Sequence, residues 1–314
     1  MMYHVIINPA SRSGKGLRIW KQEVEPALHA EGVSYRSYYS QKEGDVARIV
    51  SELLLSITER PIHFILLGGD GTVNEALQGM NDTSGVVLGY IPTGSSNDLA
   101  RDLRIPKAPS EALRLILHTG KPHAMDLGTI TYDDGTRRRF AVSCGIGFDA
   151  AVCEASLHSI LKKACNKIGL GKLTYVGIAL KQLFAAKSVT CKLTLDDGEP
   201  LEIKKLLFVT GMNHRYEGGG FMFCPNADAA DGFLDLCVIG DIPKLKILLA
   251  LPTAYFGKHY FVKGVSGYRA RSFRVETSAP LWVHTDGEVV TRAHGFTATC
   301  EPGAIKFIGS ERFS

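Results

Sequence analysis

Apolar residues in the first third of the chain follow two alternating spacings. Short runs rich in β-branched and aromatic residues, at 3–7, 33–39, 62–67 and 86–91, read as buried strands. Between them apolar residues recur at helical spacing, over about 17–30 and 44–58, then onward from about Asn74 and from about Asn97. This βαβαβ alternation predicts a parallel sheet wound with helices on both faces, a fold whose ligands bind at the carboxyl ends of the strands. From about Asp126 the texture changes to strands at 125–132, 138–143, 189–195, 201–210, 233–238, 272–275 and 281–284, separated by Asp-Gly and glycine-rich turns. A division into an α/β domain, 1–125, and a β-rich domain, 126–314, is expected, with the last residues returning to the first domain. Two helical stretches interrupt the β-rich part. One spans about 157–186 and carries Lys162, Lys163, Lys167, Lys172 and Lys181; the other spans about 243–260. Both are either amphipathic covers of a sheet face or surfaces that rest on lipid.

The length of 314 residues fits two compact units and a cleft between them. A balance of 36 basic against 32 acidic residues helps at an anionic surface but falls far short of a nucleic-acid binder, so no nucleic-acid partner is expected. No apolar run reaches the ~18 residues of a membrane span. The best stretch, 247–256, is short and flanked by Lys244, Lys246 and Lys258. A strand-like run two residues from the start leaves no room for a secretion signal, which points to the cytoplasm. The seven cysteines, Cys144, Cys153, Cys165, Cys191, Cys224, Cys237 and Cys300, are odd in number and scattered, and they read as reduced thiols. The ten histidines form no pair at metal spacing, and no Ser-His-Asp order suggests hydrolase chemistry.

Three strand ends carry polar, glycine-rich loops. After 62–67 comes Gly68-Gly69-Asp70-Gly71-Thr72-Val73-Asn74, directly before a helical pattern. Strand, glycine loop and helix are the arrangement that cradles phosphate on backbone N–H groups. The loop has neither the third glycine of a dinucleotide fingerprint nor Walker spacing. Asp70 either caps a helix or, where phosphates sit, calls for a divalent cation to offset its charge, which points to Mg²⁺ and a polyphosphate. The strand at 86–91 runs into Pro92-Thr93-Gly94-Ser95-Ser96-Asn97-Asp98, where Ser96 or Asn97 caps a helix, contacts phosphate, or does both. The first strand is followed by Asn8-Pro9-Ala10-Ser11-Arg12-Ser13-Gly14-Lys15-Gly16, either a further phosphate loop or a plain βα turn.

These loops, followed by Asp126-Leu127-Gly128, Gly145-Ile146-Gly147-Phe148-Asp149, Gly218-Gly219-Gly220, the stretch from Pro225 through Asp231-Gly232 to Asp235, and Asp286-Gly287-Glu288, resemble the diacylglycerol kinase and sphingosine kinase superfamily, and in particular its soluble bacterial diacylglycerol kinase branch. The resemblance implies a Rossmann-like α/β nucleotide-binding domain, akin to NAD kinases and phosphofructokinases, joined to a β-sandwich domain with the active site in the cleft. It implies ATP and Mg²⁺ as cofactors. Asn8, Pro9, Ser11, Ser13, Gly14, Lys15 and Ser40 would border the nucleotide; Gly68, Gly69, Asp70, Gly71, Thr72, Asn74, Ser95, Asn97 and Asp98 would line its phosphates. The family's threonine is serine at both 40 and 95. Asp228, Asp231 and Phe233 look like the family's structural Mg²⁺ site, with the Asp231 carboxylate and the main-chain oxygens of Asp228 and Phe233 as ligands; without the resemblance this is an Asp-Gly hairpin turn.

By the same resemblance Glu288 is the general base, Asp286 orients or shifts it, and Asp70 positions the metal. Asp197-Gly198-Glu199 repeats the triplet and reads as a hairpin turn, so the three residues alone identify nothing. The implied reaction is transfer of a γ-phosphoryl group to diacylglycerol, at the inner face of the membrane, by a peripheral enzyme that relatives suggest is a homodimer. Other lipid alcohols such as sphingoid bases or monoacylglycerol, a soluble NAD kinase, and a nucleotide-sensing non-enzyme are the alternatives.

Overall fold

The structure is a computed structural model that describes residues 1–157 and 171–310. Four parallel strands, β1 (Tyr3–Ile7), β2 (Tyr35–Tyr39), β3 (Ile62–Gly68) and β4 (Val86–Pro92), stand in the order β2-β1-β3-β4. β1 and β4 are buried along their whole lengths and β3 everywhere but the half-buried His63, as strands covered on both faces must be. The crossover from β1 leaves to one side and the strand after the next joins on the other. The sheet therefore switches direction between β1 and β3, which opens a crevice above their carboxyl ends. Helices α1 (Asp45–Ser56), α2 (Asp70–Gln78) and α3 (Asp98–Asp102) follow β2, β3 and β4.

The second half is antiparallel: β5 (Lys121–Thr131), β6 (Arg137–Phe140), β7 (Ser143–Gly147), β8 (Val189–Leu195), β9 (Leu201–Met212), β10 (Leu234–Gly240), β11 (Val265–Ala270), β12 (Ser272–Thr285) and β13 (Glu288–Gly309). Its apolar core packs Phe140, Leu193, Phe273 and Phe296 between the strands. The 22-residue β13 pairs with β12 and β5, then ends parallel to β4 through Lys306↔Val87 and Phe307↔Leu88. The two halves thus share one continuous sheet.

Several elements differ from the sequence expectation. The helix expected from Asn74 begins at Asp70, so the glycine loop is its first turn. The run 11–30 is helical from Ser11 and contains a π turn at Trp20–Val24. The strand expected at 138–143 is two, because residues 141–143 turn their N–H groups to the Asp286 side chain. The runs at 272–275 and 281–284 belong to one bulged strand, and β11 and β13 were not anticipated. Helix α4 (Phe148–Leu157) precedes the expected 157–186 helix, whose described part is α5 (Gly171–Ala185); Lys162, Lys163, Lys167 and Cys165 lie outside the described residues. Helix α6 (Lys244–Ala254) occupies the second stretch. Asp197-Gly198-Glu199 is the β8–β9 turn. Among the described residues no helix is long and apolar enough to cross a membrane, and no disulfide joins the cysteines.

Candidate active site

The three loops meet above the crevice. Asn8, just beyond β1, donates from Nδ2 to Thr72 Oγ1 on α2 at 3.1 Å, and Ser11 Oγ lies 2.8 Å from Thr93 Oγ1 beyond β4. Gly69 and Gly94 touch backbone to backbone: a Cβ on Gly94 would stand 2.6 Å from the Gly69 Cα. Any side chain there would force the loops apart. Asn97 holds the third loop in shape. Its backbone is left-handed, with φ 51°, and its amide both accepts from the Gly94 N–H at 2.9 Å and donates to the Gly94 carbonyl at 3.0 Å. Ser95 is exposed at this loop's tip, and Ser40 follows β2, tied to β1 by its N–H on the Ile7 carbonyl. Pro9 is half-buried, Gly14 and Lys15 are exposed on the outer loop, and Ser13 lies in its short helical turn.

Asp70 caps a helix, though not its own. Its carboxylate accepts the N–H groups of Asp98 at 3.0 Å and Leu99 at 3.4 Å, the first residues of α3. Burial, then the nearby Asp98 and Asp286 charges, push its carboxyl up to about 7. Asp98 is also raised by burial; its Oδ2 accepts the Gly219 N–H at 2.7 Å, while its buried Oδ1 has no hydrogen-bond partner. The Arg101 guanidinium, 3.8 Å from Asp98 Oδ1, offsets part of this charge, and the two crowded acids could still hold a divalent cation between them. Asp102, at the end of α3, binds His214 at 2.8 Å and Arg215 at 2.6 Å, so this short helix clamps the 214–220 segment of the second half.

Glu288 reaches the same place from the other side. Its Oε1 lies 2.4 Å from where a Cβ on Gly71 would stand, directly against the first turn of α2. Burial raises its carboxyl, helped by Glu43 and Asp286 and opposed by the Arg138 guanidinium. Asp286 faces away. Its oxygens accept the N–H groups of Ala141 (3.0 Å), Val142 (2.7 Å) and Ser143 (3.0 Å) and the Asn74 side-chain amide (2.9 Å). Asn74 therefore ties α2 to the Glu288 turn, and Arg138 reinforces it by donating to Asn74 Oδ1 and Thr285 Oγ1.

The sequence reading missed a buried cluster behind this turn. His284 Nε2 lies 3.1 Å from Asp149 Oδ2 and 3.2 Å from Glu217 Oε1. The two carboxylates outweigh burial and favour a charged ring, raised to about 9, but the hydrogen bonds disagree. The Gly287 N–H points at His284 Nδ1 at 3.2 Å, so Nδ1 carries a lone pair and the ring's one proton is on Nε2. A protonated Nε2 cannot ligate a metal. Burial pushes Glu217 up to about 7, opposed by His284. The Thr210 hydroxyl lies within donating reach of both the Cys144 carbonyl, at 3.1 Å, and Glu217 Oε2, at 3.2 Å. Asp149 and Glu217 are the acidic patch of an otherwise mainly apolar cavity of about 100 Å³, walled by Phe148, Phe208, Phe223, Ile247 and Leu251.

Away from the cleft, the turn at 228–233 is held by Asp126, which accepts the N–H groups of Gly232 and Gly303, both at 2.7 Å. Asp228 and Asp231 accept the N–H groups of Ala230 and Phe233, and Asp231 also pairs with Arg269. The nearby Asp235 has a buried Oδ2 without a hydrogen-bond partner, and Arg269 offsets part of the charge of both Asp231 and Asp235; the oxygens of this turn are the ones that could hold a hard cation.

Both halves of the chain match known families. Residues 2–130 match the diacylglycerol kinase catalytic domain family, and residues 142–309 the YegS C-terminal NAD kinase β-sandwich-like domain family. A protein of Mycobacterium tuberculosis named diacylglycerol kinase is 32% identical over 226 residues, covering 71% of this chain and 69% of that protein. A Xanthomonas euvesicatoria protein named "Probable lipid kinase YegS-like" is 27% identical over 313 residues, covering 97% and 94%. The crystal structure of a diacylglycerol kinase from Bacillus anthracis superposes with a TM-score of 0.71 at 22% identity, over 100% of this chain and 98% of that one.

Proposed function

The chain belongs to the family of lipid kinases that unites diacylglycerol kinases with YegS-type proteins, and from that premise we propose that it phosphorylates diacylglycerol to phosphatidic acid, using ATP and Mg²⁺, at the cytoplasmic face of the membrane. The observation that carries this reading is the Glu288 carboxylate against the Gly71 backbone, beside a turn whose His284 contacts Asp149 and Glu217 in the wall of a mainly apolar cavity. Phosphoryl transfer needs chiefly positioning and charge neutralisation. In this reading Asn8 to Lys15 and Ser40 border the nucleotide, and residues Gly68 to Asn74 and Ser95 contact its phosphates. Mg²⁺, held by Asp70 with Asp98 beside it, supplies the charge that the acids and phosphates lack. Glu288 takes the acceptor's hydroxyl proton. Asp286 keeps the turn in place through its four hydrogen bonds and holds no proton in transit. Asp228, Asp231 and Phe233 hold a second Mg²⁺ that secures the β-rich domain.

One observation favours a second acceptor class. The polar Asp149 side chain in the cavity wall suits a lipid that brings a further hydroxyl or an amine, such as monoacylglycerol or a sphingoid base. Transfer of labelled γ-phosphate from ATP to diacylglycerol, monoacylglycerol and sphingosine in mixed micelles, with NAD as the soluble control, decides between them. Phosphatidic acid as the main labelled product supports the first reading; label on the other lipids moves the assignment to that class, and label on NAD overturns both.

A further inference from the structure

Helix α6 is apolar on both sides. Its inner face, Ile247, Ala250, Leu251 and Ala254, walls the cavity. Its outer face carries Leu245, Leu249 and Pro252 at helical spacing and continues into Phe256. Leu245 is 71% exposed, Leu249 74% and Phe256 68%; the 3₁₀ turn His259–Phe261 adds Phe261 at 74%. Lys244 Nζ donates to the carbonyls of Phe184 and Ala186 at 2.8 and 2.7 Å, which pins the start of α6 to the end of α5, where Phe184 is itself 60% exposed. A helix apolar all round is at rest only when both faces are covered.

Charge indicates the covering. Residues 243–263 contain Lys244, Lys246, Lys258 and Lys263 and no acid, and residues 177–188 contain Lys181 and Lys187 and no acid. A second copy of this chain would bring the same lysines into the contact, and like charges would oppose it. An apolar face whose two segments, 243–263 and 177–188, carry lysines and no acid suits an anionic bilayer, with the aromatic and leucine side chains at the headgroup boundary. We propose that the outer face of α6, with Phe256, Phe261 and Phe184, is the membrane-docking surface, and that α6 is the single layer separating the bilayer from the acceptor cavity. The second clause rests on the lipid-acceptor reading; the docking surface itself does not.

The test pairs binding with turnover. Vesicles of phosphatidylcholine alone and with one-third phosphatidylglycerol are floated with the wild-type chain, with Leu249→Asp/Phe256→Asp, and with Lys246→Glu/Lys258→Glu. The wild type is expected to bind anionic vesicles at least about tenfold better than neutral ones, since each lysine near such a surface adds roughly a kcal/mol. The apolar pair should lose vesicle binding, and the lysine pair should lose the preference for anionic lipid. Leu249 and Phe256 do not line the cavity, so phosphorylation of a freely dissolved dihexanoyl glycerol should stay within about twofold of wild type while that of bilayer-embedded acceptor falls more than about tenfold. A wild type that ignores both vesicles, or an apolar pair that binds them as the wild type does, overturns the docking surface. Normal docking with no turnover of either acceptor leaves the surface standing and removes the acceptor reading instead.

Discussion

At the scale of single residues the chemistry depends on how Glu288 holds its proton. A base works only when ionised, so turnover is present above its pKa and is lost as pH falls through it. Burial first, then the charges of Glu43 and Asp286, raise that pKa, and the acid limb of the rate profile is expected above the ordinary carboxylate range. Glu43 is exposed and outside the proposed contacts, so Glu43→Gln removes one raising charge with little else disturbed; the limb should move to lower pH. A limb that stays put would assign the titration to another group. Glu288→Gln should lower kcat by about 10²–10⁴-fold, the usual weight of a positioned base. Binding of ATP, measured by calorimetry, should stay near wild type; equal loss of both would make Glu288 a structural residue.

At the scale of elements the decisive one is the first turn of α2. A methyl group on Gly71 would stand 2.4 Å from Glu288 Oε1, whereas Ala in a helix is favoured over Gly by roughly 0.5–1 kcal/mol. Gly71→Ala should therefore melt no lower than wild type while kcat falls by about 10²-fold, because a displacement near 1 Å at the reacting groups costs that much. A variant of normal activity would show that Glu288 has room to retreat. This turn also marks the limit of what the sequence could tell. The strands β1, β3 and β4 were legible because buried parallel strands are continuous apolar runs, and the three loops were placed by following them. The start of α2 was misread because Gly and Asp there resemble a loop, and β13 went unseen because its first residues alternate half-buried with exposed side chains, Arg292 and His294 among them. No local spacing brings Glu288 to Gly71, or His284 to Asp149 and Glu217. Those contacts are made by strand pairing across the chain, so Glu288 was singled out only through family resemblance and the histidine cluster was not found at all.

At the scale of the whole molecule, β13 carries Glu288 at one end and joins β4 at the other, so the two halves answer to one another through a shared sheet. The turn at 228–233 braces the far end of the β-rich half against β13 through Asp126 and Gly303. If a cation sits there, Asp231→Ala should lower Tm and remove the Tm loss that EDTA causes in the wild type; an EDTA effect of equal size in both would place the stabilising metal elsewhere. The cleft makes a further demand on the fold. Asp70 and Glu217 are both pushed up to about 7, above the ordinary value near 4 of an unfolded chain. Between those values the folded chain keeps protons that the unfolded chain has released, so stability is present at low pH and declines as pH rises, by at most about 1.4 kcal/mol per pH unit for each proton held. Histidines whose burial lowers their pKa, such as His4, His63 and His259, act in the opposite sense below about pH 6.5, so the carboxyl share is read as a difference: in urea unfolding of the ligand-free proteins the wild type should lose more stability, or gain less, than Asp70→Asn between pH 5.5 and pH 7.5. The two slopes should differ by about one proton, and a cation at the cleft should shift the wild-type slope in the same direction as Asp70→Asn does, because it supplies the charge that makes the ionised carboxylate tolerable. A slope unchanged in Asp70→Asn would mean that Asp70 is ionised in the empty cleft, its charge met by the Asp98 and Leu99 N–H groups alone.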